Sequence, residues 1–600
     1  MMRLRLAMVQ MNPVVGDLEG NTRAICRWIR EAKKAKADVV VFPELAVSGY
    51  PPEDLLLMPQ FLGDIHGKQN RIAKASHGIM AVVGSVADPQ KLQGATMAKS
   101  ERMEQSARSK PLNVAWVFAD GRVEGVFAKH KLPNYGVFDE QRYFQEGKTN
   151  PIFCLGSVRI GINICEDIWF ADGPARTQVK YGGAQVILNL NASPYHVGKT
   201  HIRQRMLAAR AKEHGVFVSY TNMVGGQDEL VFDGNSLMFD PRGQLIARAK
   251  AFEEDLLLTD LQIPHVDHHH HKGLSTVTSS QKKAGIAFLH IPWQPLPINP
   301  QVSSVGTIAS SMAETEEIYR ALVLGVRDYA RKNSFSSVVI GISGGIDSAL
   351  TALIARDALG ASSVLGVMMP SPYTSSASRQ DSKALAKRLG ITLLNLPITG
   401  LFKAFLRQLR PLFVDRPVDT TEENLQARIR GTLLMALSNK FGHLVLTTGN
   451  KSEMSVGYAT LYGDMAGGFA VIKDIPKMQV YQLARWRSHV QAAGFDEVSI
   501  PERIHSRAPS AELKANQTDQ DSLPPYPQLD AILHAYVEKN HPKSRIVQAG
   551  YPVRAVQKVI RLVEQSEYKR RQAPIGIKIT SRAFGKDRRM PITNRYLPKI

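Results

Sequence analysis

The chain has 600 residues, 44% of them hydrophobic and 22% charged, and 75 Lys and Arg against 54 Asp and Glu give a net charge of +21. That length exceeds what one core organises and divides into two domains of roughly 250 to 300 residues; no apolar stretch approaches a membrane span, and Arg3 to Val9 is too short and too charged for a signal-peptide core. Three scattered cysteines, Cys26, Cys154 and Cys165, exclude a disulfide framework and point to a reducing cytoplasm, while the basic excess favours contact with phosphates.

In chain order, Arg3 to Val9 reads as a first strand, and Asn21 can cap a helix whose apolar positions Ile25, Trp28, Ile29 and Ala32 share one face. The buried strand Asp38 to Phe42 runs into Pro43 and Glu44, so Glu44 stands where a pocket would open. Val82 to Ser85 and Asn113 to Phe118 read as further strands, with a hairpin turn at Ala119 to Arg122. Lys129 follows another strand, and Cys165 ends the β-rich run Arg159 to Ile164. A thiol, an ammonium and a carboxylate at strand ends supply a nucleophile, an oxyanion stabiliser and a base. Taken singly, each has a plain alternative, a packed thiol or a surface ion pair. Asn189 to Pro194 is a strand running into a polar turn. Cys26 falls inside a helix and Cys154 inside a strand, as core thiols.

From about Ile263 the pattern weakens through the His268 to His271 run and through Ser/Thr-rich and Pro-rich sequence to Pro300. The expected division is residues 1–262, a connecting segment 263–312 with the His run in a surface loop, and residues 313–600. Helical periodicity resumes at Glu316, Ile318, Leu322 and Val326. Val338 to Ile342 is a β-branched strand, Ser343-Gly344-Gly345-Ile346-Asp347-Ser348 a tight turn, and Ile346 to Gly360 a helix. Two glycines admit an anion close to the backbone beside Ser343, Ser348 and the free N–H groups of a helix start. No Lys follows, so this is not a Walker A loop, and Asp347 beside a phosphate makes sense with a cation such as Mg²⁺. Strand and helix then alternate: Ser363 to Pro370, Ser375 to Leu389, Ile391 to Pro397, Glu422 to Lys440 and His443 to Thr448. Gly449 to Glu453 places hydroxyl, ammonium and carboxylate at the strand end, or is a capped helix start. Residues 569–600 hold ten Lys and Arg against Asp587 alone, a run that reads as a solvated basic tail.

These residues resemble known families. Phe42-Pro43-Glu44, Lys129 ahead of Leu132-Pro133, and Ile164-Cys165-Glu166-Asp167 are similar to the nitrilase superfamily of amidases, which implies an α-β-β-α sandwich. It also implies that Cys165 attacks a carboxamide, Glu44 carries the proton and Lys129 stabilises the tetrahedral intermediate, with Glu140 as an additional carboxylate. In glutaminase members the matching positions Tyr135, Ser193 and Lys199 grip glutamine. The Ser343 to Ser348 turn resembles the ATP pyrophosphatases, which implies a Rossmann-like doubly wound parallel sheet with ATP held by Gly341, Ile342, Ser343, Gly344, Gly345, Ile346, Asp347 and Ser348. Thr448 to Glu453 resembles the NAD synthetases, which implies that Thr448 contacts ATP, that Asp347 and Glu453 are a metal pair, and that Asn424, Glu453, Asp474 and Lys569 meet deamido-NAD⁺. The pairing in one α/β chain resembles the glutamine-dependent NAD⁺ synthetases and implies glutamine, ATP and deamido-NAD⁺ as substrates, Mg²⁺, a homo-oligomer, and neither nucleic acid nor membrane as partner. An adenylating amidase or thiolase acting on RNA and a silent nucleotide-binding scaffold are the other readings; against the first, no zinc-ligand Cys set or RNA module is present.

Overall fold

The computed structural model describes residues 2–92, 110–264, 278–293, 306–489 and 494–596. The His268 to His271 run lies outside the described residues. The chain divides into two compact units, residues 1–227 with 232–311, and residues 228–231 with 312–600.

Among the described residues the first unit contains two large sheets. One has six strands in spatial order Asp255–Ile263, Met2–Gln10, Val39–Val41, Met80–Ala87, Leu112–Ala119, Arg122–Ala128; the other has seven, in order Leu245–Arg248, Leu237–Phe239, Phe217–Asn222, Val186–Asn191, Val158–Ile164, Asn150–Leu155, Ile286–Ile291. Alternate residues of the two sheets meet in one core: Leu4, Leu6, Met8, Val39 and Val41 from the first, Ile160, Ile162, Ile164, Leu188 and Leu190 from the second, all fully buried. Each such side chain contributes about 1.5–3 kcal/mol by leaving water, which fixes the period-two register. The intervening residues face helices. Ile187, Val218 and Tyr220 pack with Leu207 and Ala211 of the helix Lys199–His214 and with Ala175 of Pro174–Gly182. Pro59–Ala75 packs on strands Met80–Ala87 and Leu112–Ala119 of the other sheet, and Leu18–Lys34 packs beside it. Strands covered on both faces are why the sequence reads as continuous apolar runs rather than alternation. The layers are α-β-β-α.

The second unit is built on a parallel sheet in order Thr392–Asn395, Val364–Met368, Val338–Gly341, Leu444–Thr447, Phe469–Ala470. Chain order reverses between Val338–Gly341 and Leu444–Thr447, leaving a crevice at the carboxyl ends of those two strands.

Three local expectations differ from what forms. The first helix is Leu18–Lys34, capped by Asp17, whose Oδ1 accepts from Gly20 N at 2.8 Å. Asn21 is buried instead, accepting from Val14 N and donating to the Val14 and Val47 carbonyls, a tertiary use that local capping chemistry does not reveal. Ile286–Ile291, inside the expected connecting segment, is an edge strand paired in parallel with Asn150–Leu155, because Ile286, Leu289 and Ile291 bury. The basic C-terminal run is not uniformly solvated: Arg570, Lys578 and Arg588 are each 5% exposed. Cys26 and Cys154 are buried, as expected. Among the described residues no helix is long and apolar enough to cross a membrane.

Candidate active sites

In the first unit three strand ends converge. Glu44 follows Val39–Val41, Lys129 follows Arg122–Ala128, and Cys165 follows Val158–Ile164. Glu44 and Lys129 are fully buried, and Lys129 Nζ lies 2.7 Å from Glu44 Oε1 and 2.9 and 2.8 Å from the two oxygens of Glu140. Asn113 Nδ2 donates to Glu44 Oε1 at 2.7 Å, Ala192 N donates to Glu44 Oε2 at 3.1 Å, and Tyr50 Oη donates to Glu140 Oε1 at 3.0 Å. Burial works against the Lys129 charge, but Glu140, Glu44 and Cys165 outweigh it, so the ammonium holds its proton well above the ordinary range. Burial pushes the Glu140 carboxyl up to about 7, with Lys129 pulling down and Glu44 adding to the rise. Burial and then Glu44 raise the Cys165 thiol well above its usual value against the pull of Lys129, so the thiol needs a base to become a nucleophile.

Cys165 has φ of +45° at the start of the short 3₁₀ turn Cys165–Trp169, a left-handed conformation that costs a non-glycine residue on the order of 1 kcal/mol. Asp167 holds that turn. Its Oδ2 accepts from Ile164 N at 3.0 Å, and its Oδ1 accepts from His130 N at 3.1 Å and Lys131 N at 2.8 Å, tying the Cys165 turn to the segment that carries Lys129. Asp167→Asn keeps the shape but turns an NH₂ toward at least one of those N–H groups. The expected result is about 1–3 kcal/mol lower stability in urea unfolding and roughly 10² slower turnover at the Cys165 centre. Lower stability with an unchanged rate would confine Asp167 to folding.

Tyr135, Ser193 and Lys199 surround this centre differently. The Tyr135 ring is exposed and its hydroxyl donates to Glu166 Oε1 at 2.8 Å. Ser193 is buried, its N–H donating to Asn222 Oδ1 at 3.0 Å. Lys199 Nζ lies 4.4 Å over the Trp169 ring; burial and Arg203 lower its proton affinity, while Cys165 and Glu166 hold it up. Tyr50, Asn113 and the fully buried Arg203–Asp233 pair, at 3.0 Å, support the centre without having drawn notice in the sequence. Each is joined to its partner across 30 or more positions, where no local pattern operates.

In the second unit the crevice between the two central strand ends is an open cleft with a cavity volume of about 190 Å³. Gly341, Ile342, Ser343 and Thr448 line it, with Met368, Met369, Leu434 and Leu446 as its apolar wall. The turn is held by its own hydroxyls: Ser348 Oγ donates to Gly345 O at 3.0 Å, and Ser343 Oγ lies 3.1 Å from Ser348 Oγ and accepts from Gly345 N at 3.2 Å. Gly344 has φ of +81°, and a Cβ there would stand 2.6 Å from the Ser378 carbonyl, so only glycine fits. The Ile346 side chain is buried, which leaves its backbone as the part that can face a ligand.

Asp347 and Glu453 come together around a residue the sequence reading passed over. Lys477 Nζ pairs with Asp347 Oδ2 and lies 3.2 Å from Glu453 Oε1, while Asn450 Nδ2 donates to Asp347 Oδ1 at 2.9 Å. Asn450 and Glu453 also form a capping box on Lys451–Val456, so the capped-helix alternative and the charged cluster hold at once. Burial pushes Glu453 up to about 8, Lys477 pulling down and Asp347 adding to the rise. A carboxyl raised in the fold keeps a proton that the unfolded chain has already released. Its contribution is therefore full below the ordinary carboxylate value and is lost as pH rises through about 8. Glu453→Gln is expected to flatten thermal stability between pH 7 and 8; equal slopes in both proteins would contradict the shift.

Asn424 and Lys569 meet one loop: Thr460 Oγ1 donates to Asn424 Oδ1 at 2.7 Å, and Lys569 Nζ donates to the Gly457 and Ala459 carbonyls at 2.7 and 2.8 Å. A smaller pocket beside that loop, lined by Thr447, Glu453, Tyr458 and Ala459, adjoins the cleft through Thr447. Asp474 is buried, and its oxygens accept from Ile579 N, Thr580 N and Thr580 Oγ1 and pair with Lys451, so a ligand would reach it only by displacing them.

The carbon-nitrogen hydrolase family model matches residues 5–268, and the NAD synthase family model matches residues 318–573. A glutamine-dependent NAD(+) synthetase of Thermotoga maritima is 44% identical, with 99% of each chain covered. One of Aquifex aeolicus is also 44% identical, over 99% of this chain and 100% of that one. The solved structure of a glutamine-dependent NAD+ synthetase from Acinetobacter baumannii, in complex with ADP, covers both chains completely with a TM-score of 0.71 at 40% identity. One from Cytophaga hutchinsonii shares the fold, with a TM-score of 0.75 at 21% identity over 99% of this chain and 98% of that one.

Proposed function

The chain belongs to the family of glutamine-dependent NAD(+) synthetases, and from that premise we propose how its own residues divide the work. Glutamine is hydrolysed in the first unit. Glu44 Oε1 is committed to Lys129 and Asn113, while among the described residues Oε2 takes only the Ala192 N–H, so Oε2 is the oxygen that receives the Cys165 proton. The thiolate adds to the carboxamide carbon, Lys129 stabilises the oxyanion, the C–N bond breaks, and the proton held by Glu44 leaves with ammonia. Water then releases glutamate from the thioester. Tyr135, Ser193 and Lys199 orient the amino acid, with the Lys199 ammonium facing its α-carboxylate.

In the second unit an oxygen of the nicotinate carboxylate of deamido-NAD⁺ attacks the α-phosphorus of ATP and pyrophosphate departs. Ammonia then displaces AMP, giving NAD⁺. The Ser343 to Ser348 turn and Thr448 hold ATP, and Asn424, Glu453 and Lys569 flank the dinucleotide. Among the described residues no three metal-binding side chains cluster. Two partly exposed carboxylates nevertheless suit Mg²⁺, which binds through one or two carboxylates and phosphate oxygens. Asp347 and Glu453 would hold it, and it would neutralise charge on the departing pyrophosphate. A homo-oligomer and a cytoplasmic location belong to the same reading.

The observation that carries the proposal is the Lys129 ammonium pinned between Glu44 and Glu140 beside the Cys165 thiol. Its test is a product assay with glutamine as sole nitrogen source. NAD⁺, AMP and pyrophosphate are expected in equal amounts with deamido-NAD⁺, and pyrophosphate release that needs RNA instead would overturn it.

A further inference from the structure

The second unit contains a cavity that the reaction above does not use. Tyr536, His541, Lys543, Arg582, Arg588 and Tyr596 line it, and among the described residues no carboxylate does. Two of its basic residues are largely buried and, among the described residues, short of partners. Arg588 is 5% exposed; its Nη2 donates to Glu564 Oε1 at 2.6 Å, while among the described residues its buried Nη1 has no acceptor. Lys543 is 9% exposed, and among the described residues its ammonium meets neither carboxylate nor carbonyl. Arg582 donates to Asn540 Oδ1 and the Val537 carbonyl, and burial together with the charge of Arg588 lowers its hold on its proton.

The acids nearby are already committed. Glu564 is shared by Arg588 and the Tyr536 hydroxyl, Asp587 pairs with Lys578, and Glu538 pairs with Lys451 and His534. A buried guanidinium with one nitrogen unpartnered is costly, and like charges facing one cavity add to that cost. A multivalent oxyanion relieves both, because it accepts several charge-assisted hydrogen bonds at once. The Tyr596 ring, 70% exposed at the rim, offers a face on which a base can stack. We propose that this cavity, apart from the ATP cleft, is a binding site for a small phosphate-bearing anion, with Lys543, Arg582 and Arg588 as its ligands.

The test titrates inorganic phosphate, pyrophosphate and AMP calorimetrically into the full chain in phosphate-free buffer. A Ser343→Ala/Ser348→Ala background impairs the other anion cradle. Saturable one-to-one binding of at least one probe is expected, and Lys543→Gln/Arg582→Gln weakens it about tenfold or more, or Lys543→Gln alone about threefold if the double variant does not fold. Preference for AMP over phosphate assigns the anion to a nucleotide, and the reverse to a free phosphate. The proposal is overturned by no saturable binding, by equal binding after substitution, or by binding of an RNA oligonucleotide with none of the three probes.

Discussion

Cys165→Ala is expected to lower glutamine-dependent NAD⁺ synthesis by roughly 10⁴ or more, while synthesis from ammonium salts at pH 8.5 stays within about twofold. The reason lies in what surrounds the thiol. Glu44 and Lys129 are fully buried and bonded to each other, so neither can replace sulfur as nucleophile without leaving a buried charge unpaired. The substitution itself is mild. Cys165 is buried, and at φ of +45° alanine meets the same backbone cost as cysteine, so the fold should lose about 1 kcal/mol for the missing sulfur contacts. Cys165→Ser is the near-isosteric check, since its hydroxyl ionises too weakly to follow the thiol. Parallel rates of NAD⁺ formation with each nitrogen source measure the effect. Loss of both activities would contradict the assignment of ammonia release to the first unit.

Why the three strand-end groups were legible while their supports were not follows from the range of the interactions. Glu44, Lys129 and Cys165 each follow a strand, and the Ser343 to Ser348 turn is made by hydroxyls and N–H groups within five residues of one another, so local chemistry writes both into the sequence. Lys477 carries no such mark. It reaches Asp347 across 130 positions, and its place between two carboxylates exists only once the strand Leu444–Thr447 lies beside Val338–Gly341. The edge strand Ile286–Ile291 fails for a related reason: its short alternating pattern is embedded in polar sequence, and its partner Asn150–Leu155 is more than 130 residues earlier. The basic C-terminal run misleads because charge counts do not report pairing. Arg570 is bonded to Glu567 and to two carbonyls, so a residue read as solvated is a buried tie.

Asp347→Asn is expected to cut pyrophosphate release about 10³-fold with either nitrogen source, while glutamine hydrolysis without ATP stays within about twofold. Structurally the change is tolerable. The carbonyl of the introduced amide would still accept from Asn450 Nδ2; its NH₂ would face the Lys477 ammonium at some cost, and Lys477 would keep Glu453 at 3.2 Å. Removing the Asp347 charge also removes one of the influences that raise Glu453, so that carboxyl ionises more readily and becomes the better partner for Lys477. The damage falls instead on the nucleotide, where one of two carboxylates able to share a cation with the phosphates is gone. Two accounts of Asp347 part here. If it helps to hold Mg²⁺, raising Mg²⁺ restores part of the lost rate, because weakened affinity yields to concentration. If it only positions Lys477, the rate stays low at every Mg²⁺ concentration, and the pairing of Asp347 with Glu453 as cation ligands fails.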